Sequence, residues 1–494
     1  MSLFFSVNSG PDIDWKEKFK SKDVEEMWVL LKNEIIDKRD KFVPKVPIAK
    51  RTFPKWMTKK IKKSIKRRNR AWRKYETGPQ YQKLVNYRKL RNKVNKEIKA
   101  GKRNFEVSLA EKIKLQPKAF YSYVRSKTKS KVKVGPLLNK NGKVIDDKRE
   151  MCELLNDYFS SVFTLENRVN IPTTNAKQNS CQPTKVIEEL TNIDITEEKV
   201  LQAIKCLKKD KTRGEDGIYS SFLMYIGEAI TSPLTLVFKK LLETGFIPSD
   251  WKNANITPIF KKGSKKNPEN YRPVSLTSHV CKTFERILTQ YIVKHLEENC
   301  LINDTQHGFR KNRSCLTNLL EFSERVSNIL DEGCPVDIIY LDFSKAFDTV
   351  PHERLAVKLK AHRIGGDVLR WIIAWLKDRK QRVVLNGETS NWTKVVSGVP
   401  QGSVLGPILF KICINDLDEG IKNIIKKFAD DTKLMGMTGS IEQVNGIREN
   451  LRRLDEWSQL WQMKFNVDKC KVMYLGHGNI ASQSMRFKER NSER

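Results

Sequence analysis

The sequence predicts an α+β fold, a sheet-bearing body preceded by a basic, mainly helical N-terminal extension. Three observations carry this expectation. Between residues 57 and 98, apolar side chains recur every three or four positions inside a strongly cationic run, the pattern of amphipathic helices. From about Ile195 onward, helical stretches alternate with short β-prone runs bounded by Gly, Pro and Asn. Two of those runs, residues 336–341 and 424–429, end in acidic residues: Asp342 after the first, Asp430 and Asp431 after the second.

Taken in order, residues 23–39 read as one charged helix, followed by a linker around Pro44 and Pro47. The basic run then begins. Lys59, Lys60, Lys62, Lys63, Lys66, Arg67, Arg68, Arg70, Arg73 and Lys74 share one segment with Met57, Ile61, Ile65, Trp72 and Tyr75. After Gly78-Pro79, a second helix carries Leu84, Tyr87, Leu90, Val94 and Ile98, so a basic helical hairpin is expected. Lys59, Lys60, Lys63, Lys66, Arg67, Arg68, Arg70 and Arg73 are candidate contacts to a nucleic-acid backbone. A solvated charged face is the plainer account, but like charges at this density repel one another without a polyanion. Asn141-Gly142 marks a turn before a helix over 148–163, and residues 165–189, poor in apolar side chains, read as a linker. Thr196-Glu197-Glu198 opens a helix bearing Val200, Ile204 and Leu207. A polar loop at 210–217 leads to a helix over 220–243 that stops at Gly245.

Composition narrows the partners. The chain has 494 residues, enough for two or three units sharing cores. Its net charge of +35 points to polyanions, nucleic acid before acidic membrane. No apolar run approaches the roughly 20 residues of a spanning helix, and the start has no basic leader. The nine cysteines include no C-x-x-C pair, which fits neither a zinc site nor a disulfide framework and suggests reduced thiols inside a cell.

The chemistry sits in short motifs. A doubled aspartate at a hairpin tip repels itself unless a cation joins it, although Asp-Asp after a strand is also an ordinary solvated turn. A pair of Mg²⁺ ions, with Mn²⁺ as the alternative, suits carboxylate and phosphate oxygens and can clamp both oxygens of a phosphoryl transfer. A strand at 254–260 runs into Lys261-Lys262-Gly263, and Arg272 lies on the next strand; lysine and arginine there can converge on one triphosphate. Gln306-His307-Gly308-Phe309-Arg310 is a second Gly-hinged basic loop, with Arg310 a candidate nucleic-acid contact. Ser397-Gly398-Val399-Pro400-Gln401-Gly402-Ser403 is a third, where Gln401 can reach a base and Ser403 opens a helix.

These blocks, together with Asp342-Phe343-Ser344-Lys345-Ala346-Phe347-Asp348, Phe428-Ala429-Asp430-Asp431 and Asn466-Val467-Asp468-Lys469, resemble in order and spacing the reverse transcriptase domain of non-LTR (LINE-type) retrotransposons, most of all jockey-like elements, over about residues 190–476. The resemblance implies a right-hand polymerase fold: 1–164 a nucleic-acid-binding helical extension, 165–189 a linker, 190–335 fingers with part of the palm, 336–476 the palm, and 477–494 a polar tail. The palm would be an antiparallel sheet with helices on one face.

The resemblance also implies roles. Asp342, Asp430 and Asp431 match the family's metal-binding aspartates, with the Phe343 carbonyl as a further ligand. Phe347 matches the bulky residue at the sugar 2′ position, where an aromatic face disfavours a ribonucleotide. Gln401 and Gly402 lie beside the incoming base and template; Lys261, Lys262 and Arg272 hold the triphosphate; Lys469 matches the proton donor to pyrophosphate, and Asp348 reads as a structural acid. The expected activity is RNA-directed DNA synthesis, a nucleotidyl transfer of dNTPs onto a primer 3′-hydroxyl along an RNA template, without membrane association, in nucleus and cytoplasm. Neither the upstream endonuclease nor most of the thumb has a match here, so a fragment or truncated copy is expected. An RNA-dependent RNA polymerase is the competing enzyme, and a catalytically inactive relic that only binds RNA is the reading from another class.

Overall fold

A computed structural model describes residues 13–43, 53–54, 56–113, 115, 117–127, 134–173, 187–209 and 211–477. The expected linker at Pro44 and Pro47 and the polar tail beyond 477 lie outside these residues. Two compact units emerge, residues 1–42 with 134–494 and residues 43–133. The expected boundary at 164 falls inside the first of these units. The first helix, α1 (Val24–Phe42), buries Met27, Trp28, Leu31 and Ile35 in the main core of the larger unit. Its Trp28 ring meets Trp251 edge-on at 5.3 Å, and Asp250 accepts from Trp28 Nε1 and Lys32 Nζ. Apolar residues of α1 thus need the larger unit to be buried, and charge patterning along the chain did not reveal that.

The smaller unit is the expected helical hairpin. Thr58 caps α2 (Lys59–Glu76) by accepting from the Ile61 amide, and α3 (Tyr81–Glu111) returns along it. Ile61, Ala71 and Val94 are its buried apolar residues, and the Trp72 ring lies 4.9 Å from Tyr87. A Cβ on Gly101 would come within 2.7 Å of Ile61 Cδ1, so the glycine lets the helices approach. A further helix, α4 (Pro117–Lys127), follows.

The larger unit continues with α5 (Lys148–Ser161), α6 (Glu197–Lys205) and α7 (Gly227–Thr244). The helix expected over 220–243 is broken at Ile226, with a short turn of helix at Ser220–Tyr225 before α7. Next come β1 (Asn253–Phe260), β2 (Tyr271–Leu276), α8 (His279–Glu298), α9 (Cys315–Asp331) and β3 (Val336–Leu341). Then follow α10 (His352–Ala361), α11 (Gly366–Leu376), β4 (Arg379–Leu385), β5 (Thr393–Val395) and α12 (Gly406–Cys413). The last elements are β6 (Ile424–Phe428), β7 (Asp431–Met437), α13 (Ile441–Trp461) and β8 (Lys471–Leu475). Ser403 precedes α12 and accepts from the Gly406 amide rather than opening the helix itself.

Two sheets organise this unit. In one, β1 pairs antiparallel with β2 and parallel with β4, which also pairs with β5; α5 closes it through Met151, Cys152, Leu155 and Phe159. The other is fully antiparallel, in the order β8-β3-β7-β6. Helices cover both its faces, not one. Ile339, Leu341, Ile425 and Leu434 join the main core with Ile447 and Leu454 of α13, while Val336, Ile338 and Met435 pack on Phe322 and Val326 of α9. The strand sequence Val-Asp-Ile-Ile-Tyr-Leu is apolar at alternate positions on either side, which demands two partners.

The stretch expected as a linker is tied down where it is described. The Glu166 carboxylate accepts from the Glu353 and Arg354 amides at the start of α10 and from Arg354 Nη1, and both side chains are buried. Residues 174–186 lie outside the described part. Among the described residues no helix is long and apolar enough to cross a membrane, and eight cysteines are free thiols.

Candidate active site

Strand register places the acidic residues. Leu341 of β3 pairs with Thr432 of β7, so one step further Asp342 and Asp431 leave the sheet side by side. Asp431 in turn pairs with Phe428, which leaves Ala429-Asp430 as a two-residue hairpin turn. Ala429 has φ of +54°, a left-handed conformation that costs a non-glycine residue about 1–3 kcal/mol unless its surroundings hold it.

Those surroundings are the Gln306-His307-Gly308 loop. The Gln306 side chain is buried; its Oε1 accepts from the Ala429 amide at 3.0 Å and from the Gly308 amide at 2.7 Å, while its Nε2 donates to the Ala429 carbonyl at 3.4 Å. Backbone bonds from His307 to the Lys427 carbonyl and from Lys427 to the Thr305 carbonyl fasten the loop along β6. A Cβ at Gly308 would sit 2.3 Å from the Ala429 nitrogen, so only glycine allows this approach. Sequence reading valued this loop for its cations and missed the glutamine; its place two residues before Gly308 was the available signal. Arg310, expected to meet nucleic acid, pairs with Asp304 and donates to the Asn303 carbonyl.

Around Asp342, residues 464–469 form a wrap. Asn466 donates to the Asp342 carbonyl, Ser344 to the Lys464 carbonyl, and the Phe343 and Phe465 rings stack at 4.6 Å. These bonds flank the Phe343–Phe465 bridge and leave the Phe343 carbonyl out of it. Lys469 Nζ lies 3.1 and 3.0 Å from the two carboxylate oxygens of Asp342.

Lys261, at the end of β1, is close enough to this cluster to feel it. Burial lowers its pKa, Arg272 and Lys469 lower it further, and Asp342 raises it. Arg272 stands opposite Ile259 across the β1–β2 pair, and Lys262 is exposed in the turn beyond. The structure therefore brings Lys261, Arg272, Lys469 and Asp342 into one electrostatic neighbourhood.

The Gly398–Gly402 loop is built into the same floor. The Val399 amide donates to the Phe347 carbonyl, and Gln401 Nε2 donates to both carboxylate oxygens of Asp348 at 2.9 and 2.8 Å. The Gln401 carbonyl accepts from Ser275 of β2, and a Cβ on Gly402 would lie 2.9 Å from the Ser275 carbonyl oxygen. Phe347 stacks on Phe410 at 4.8 Å, and with Asp348, Gln401, Pro273 and Ser275 of β2 and Gln381 of β4 it lines a pocket. Burial pushes the Asp348 carboxyl up to about 6, against the lowering effect of the Gln401 amide.

The donor chemistry fits divalent cations. Carboxylate oxygens are the ligands Mg²⁺ prefers. Asp431 is pushed above the usual carboxylate range by partial burial and by the neighbouring Asp430 and Asp342 charges, an excess that a cation relieves. Among the described residues no three such side chains are drawn to ligating distance, and the Lys469 ammonium neutralises Asp342 in this arrangement.

Comparison with known proteins agrees with this geometry. Residues 261–488 match the family model described as reverse transcriptase (RNA-dependent DNA polymerase). The chain is 29% identical over 282 residues to the probable RNA-directed DNA polymerase from transposon BS of Drosophila melanogaster, covering 55% of this chain and 31% of that protein. It is 28% identical over 289 residues to the RNA-directed DNA polymerase from mobile element jockey of the same species, covering 56% and 31%. Over 174 residues it is 28% identical to the Pol polyprotein of the type-1 element R2 of Popillia japonica, 35% of this chain and 24% of that protein. The chain thus spans less than a third of the length of these curated relatives. Residues 261–488, with their paired aspartates on an antiparallel sheet, are thus similar to the reverse transcriptases of mobile elements of the BS and jockey kind.

Proposed function

We propose that the chain copies RNA into DNA, adding dNTPs to a primer 3′-hydroxyl. The observation that carries this is the β3–β7 register, which sets Asp342 beside Asp431 under the same cationic edge as Lys261 and Arg272. Divalent ions, when bound by Asp342, Asp430, Asp431 and the Phe343 carbonyl, supply neutralisation of the attacking and leaving oxygens. The chain's own side chains do the rest by alignment. Lys261, Lys262 and Arg272 hold the triphosphate; Gln401 and Gly402 bound the base and template; Lys469, whose Nζ lies 3.0 Å from Asp342, gives the proton to departing pyrophosphate.

Phe347 sets the sugar. Stacked on Phe410, its ring cannot swing aside to admit a 2′-hydroxyl and offers it no hydrogen bond. The test is incorporation of labelled dNTPs and NTPs on a primed RNA template. Deoxynucleotide incorporation alone supports the reading; ribonucleotide incorporation would move the chain to the RNA polymerases.

A further inference from the structure

We infer that Gln306 is a positioning residue for catalysis, the side chain that fixes the aim of Asp430 and Asp431. The inference rests on the polymerase reading above and adds to it a residue outside the carboxylates and the nucleotide-binding set.

A two-residue hairpin tip is held by its strands on one side only, and this one carries a left-handed alanine directly before the two acids. Nothing intrinsic to Ala429 favours that conformation. Gln306 meets both backbone polar groups of Ala429, taking its N–H and donating to its C=O, as a neighbouring strand would. The pairing fixes both peptide planes that flank Ala429, and the second of these leads into Asp430. Oε1 also takes the Gly308 amide, so the glutamine is itself locked by the loop that delivers it. Gly308 in turn is the residue whose missing side chain makes room for the Ala429 backbone. The amide orientation is forced by chemistry: a backbone N–H requires the oxygen, and a backbone C=O requires the nitrogen. Glutamine is the one side chain of this length that supplies both.

Two substitutions divide the role. Gln306→Glu keeps an acceptor for the Ala429 and Gly308 amides but sets a second oxygen against the Ala429 carbonyl. Gln306→Met keeps the length and removes both partners. Expected for each variant is a fall in kcat of about 100-fold, the scale of a small misplacement of reacting groups, with the KM for dNTP within about threefold of wild type. The Mg²⁺ concentration for half-maximal rate should rise. So should the concentration needed to bind Mn²⁺ to the protein with template-primer, read from the free-ion paramagnetic resonance signal.

Thermal unfolding of the variants checks that the fold persists. In the wild-type protein, amide exchange at Ala429 provides a readout that requires no substitution, and strong protection is expected. Unchanged kcat and unchanged Mn²⁺ binding in both variants, or a rapidly exchanging Ala429 amide in wild type, would overturn the inference. Failure of the wild-type protein itself to extend a primer would instead overturn the polymerase reading.

Discussion

At the scale of single residues, the site separates side chains that touch substrate from those that aim them. In the function proposed above, Phe347 belongs to the first group. Phe347→Ala is expected to reduce discrimination between dNTP and NTP by about 10- to 100-fold, measured as the ratio of kcat/KM values, because the excluded 2′-hydroxyl gains space but no dedicated partner. Asp348 belongs to the second. Its carboxyl is buried, bonded by Gln401, and pushed up from 3.8 to about 6. A folded-state value above the unfolded one means that the folded chain holds its proton more tightly between pH 4 and 6. Stability from this group is therefore full below about pH 4 and is lost as pH rises through about 6. Asp348→Asn removes the dependence, so in denaturant titrations the variant should gain on wild type between pH 4 and 7, by up to roughly 3 kcal/mol. Asp348 was legible in the sequence only as an acid near a helix start. Its bond to Gln401 spans 53 positions and depends on how two loops pack.

At the scale of elements, helices were readable wherever apolar spacing is local, as in α2, α3 and α6. The two acid-bearing strands were readable because an apolar run ends abruptly in aspartate. What local pattern could not supply was the partner of each face. α1 shows this: residues 23–39 read as a charged helix, but only the fold shows that Trp28 packs on Trp251 and that its indole donates to Asp250. Trp28→Ala is expected to cost about 3–5 kcal/mol in unfolding free energy, as for other large aromatic truncations. An independent helical extension would tolerate the change. Glu166 teaches the same lesson from a stretch that reads as linker. It satisfies two amides at the start of α10 as well as the buried Arg354. Glu166→Ala therefore leaves the buried Arg354 guanidinium without its counter-charge, and a loss of about 3–5 kcal/mol by the same measurement is expected.

At the scale of the whole molecule, charge is the organising fact. A net +35 is far beyond what solubility asks, and ten of the cations lie in α2 alone. If the helical hairpin of residues 43–133 meets the phosphate backbone of an RNA, binding by the full chain must weaken with salt. Replacing Lys59, Lys60, Lys63 and Lys66 by glutamine should then lower the slope of log K against log salt by about 0.7 for each single-strand phosphate that no longer faces a lysine. Salt slopes from fluorescence anisotropy check this, and an unchanged slope would assign binding to the larger unit.

The central claim concerns the larger unit: the aspartates of adjoining strands form a working polymerase site. The most direct measurement is extension of an oligo(dT) primer on poly(rA) with Mg²⁺ by the purified chain, beside an Asp430→Ala/Asp431→Ala variant of matched folding and RNA binding. Extension by the wild type and none by the variant is the expected result. No extension by a folded, RNA-binding wild type, or equal extension by both, would contradict it.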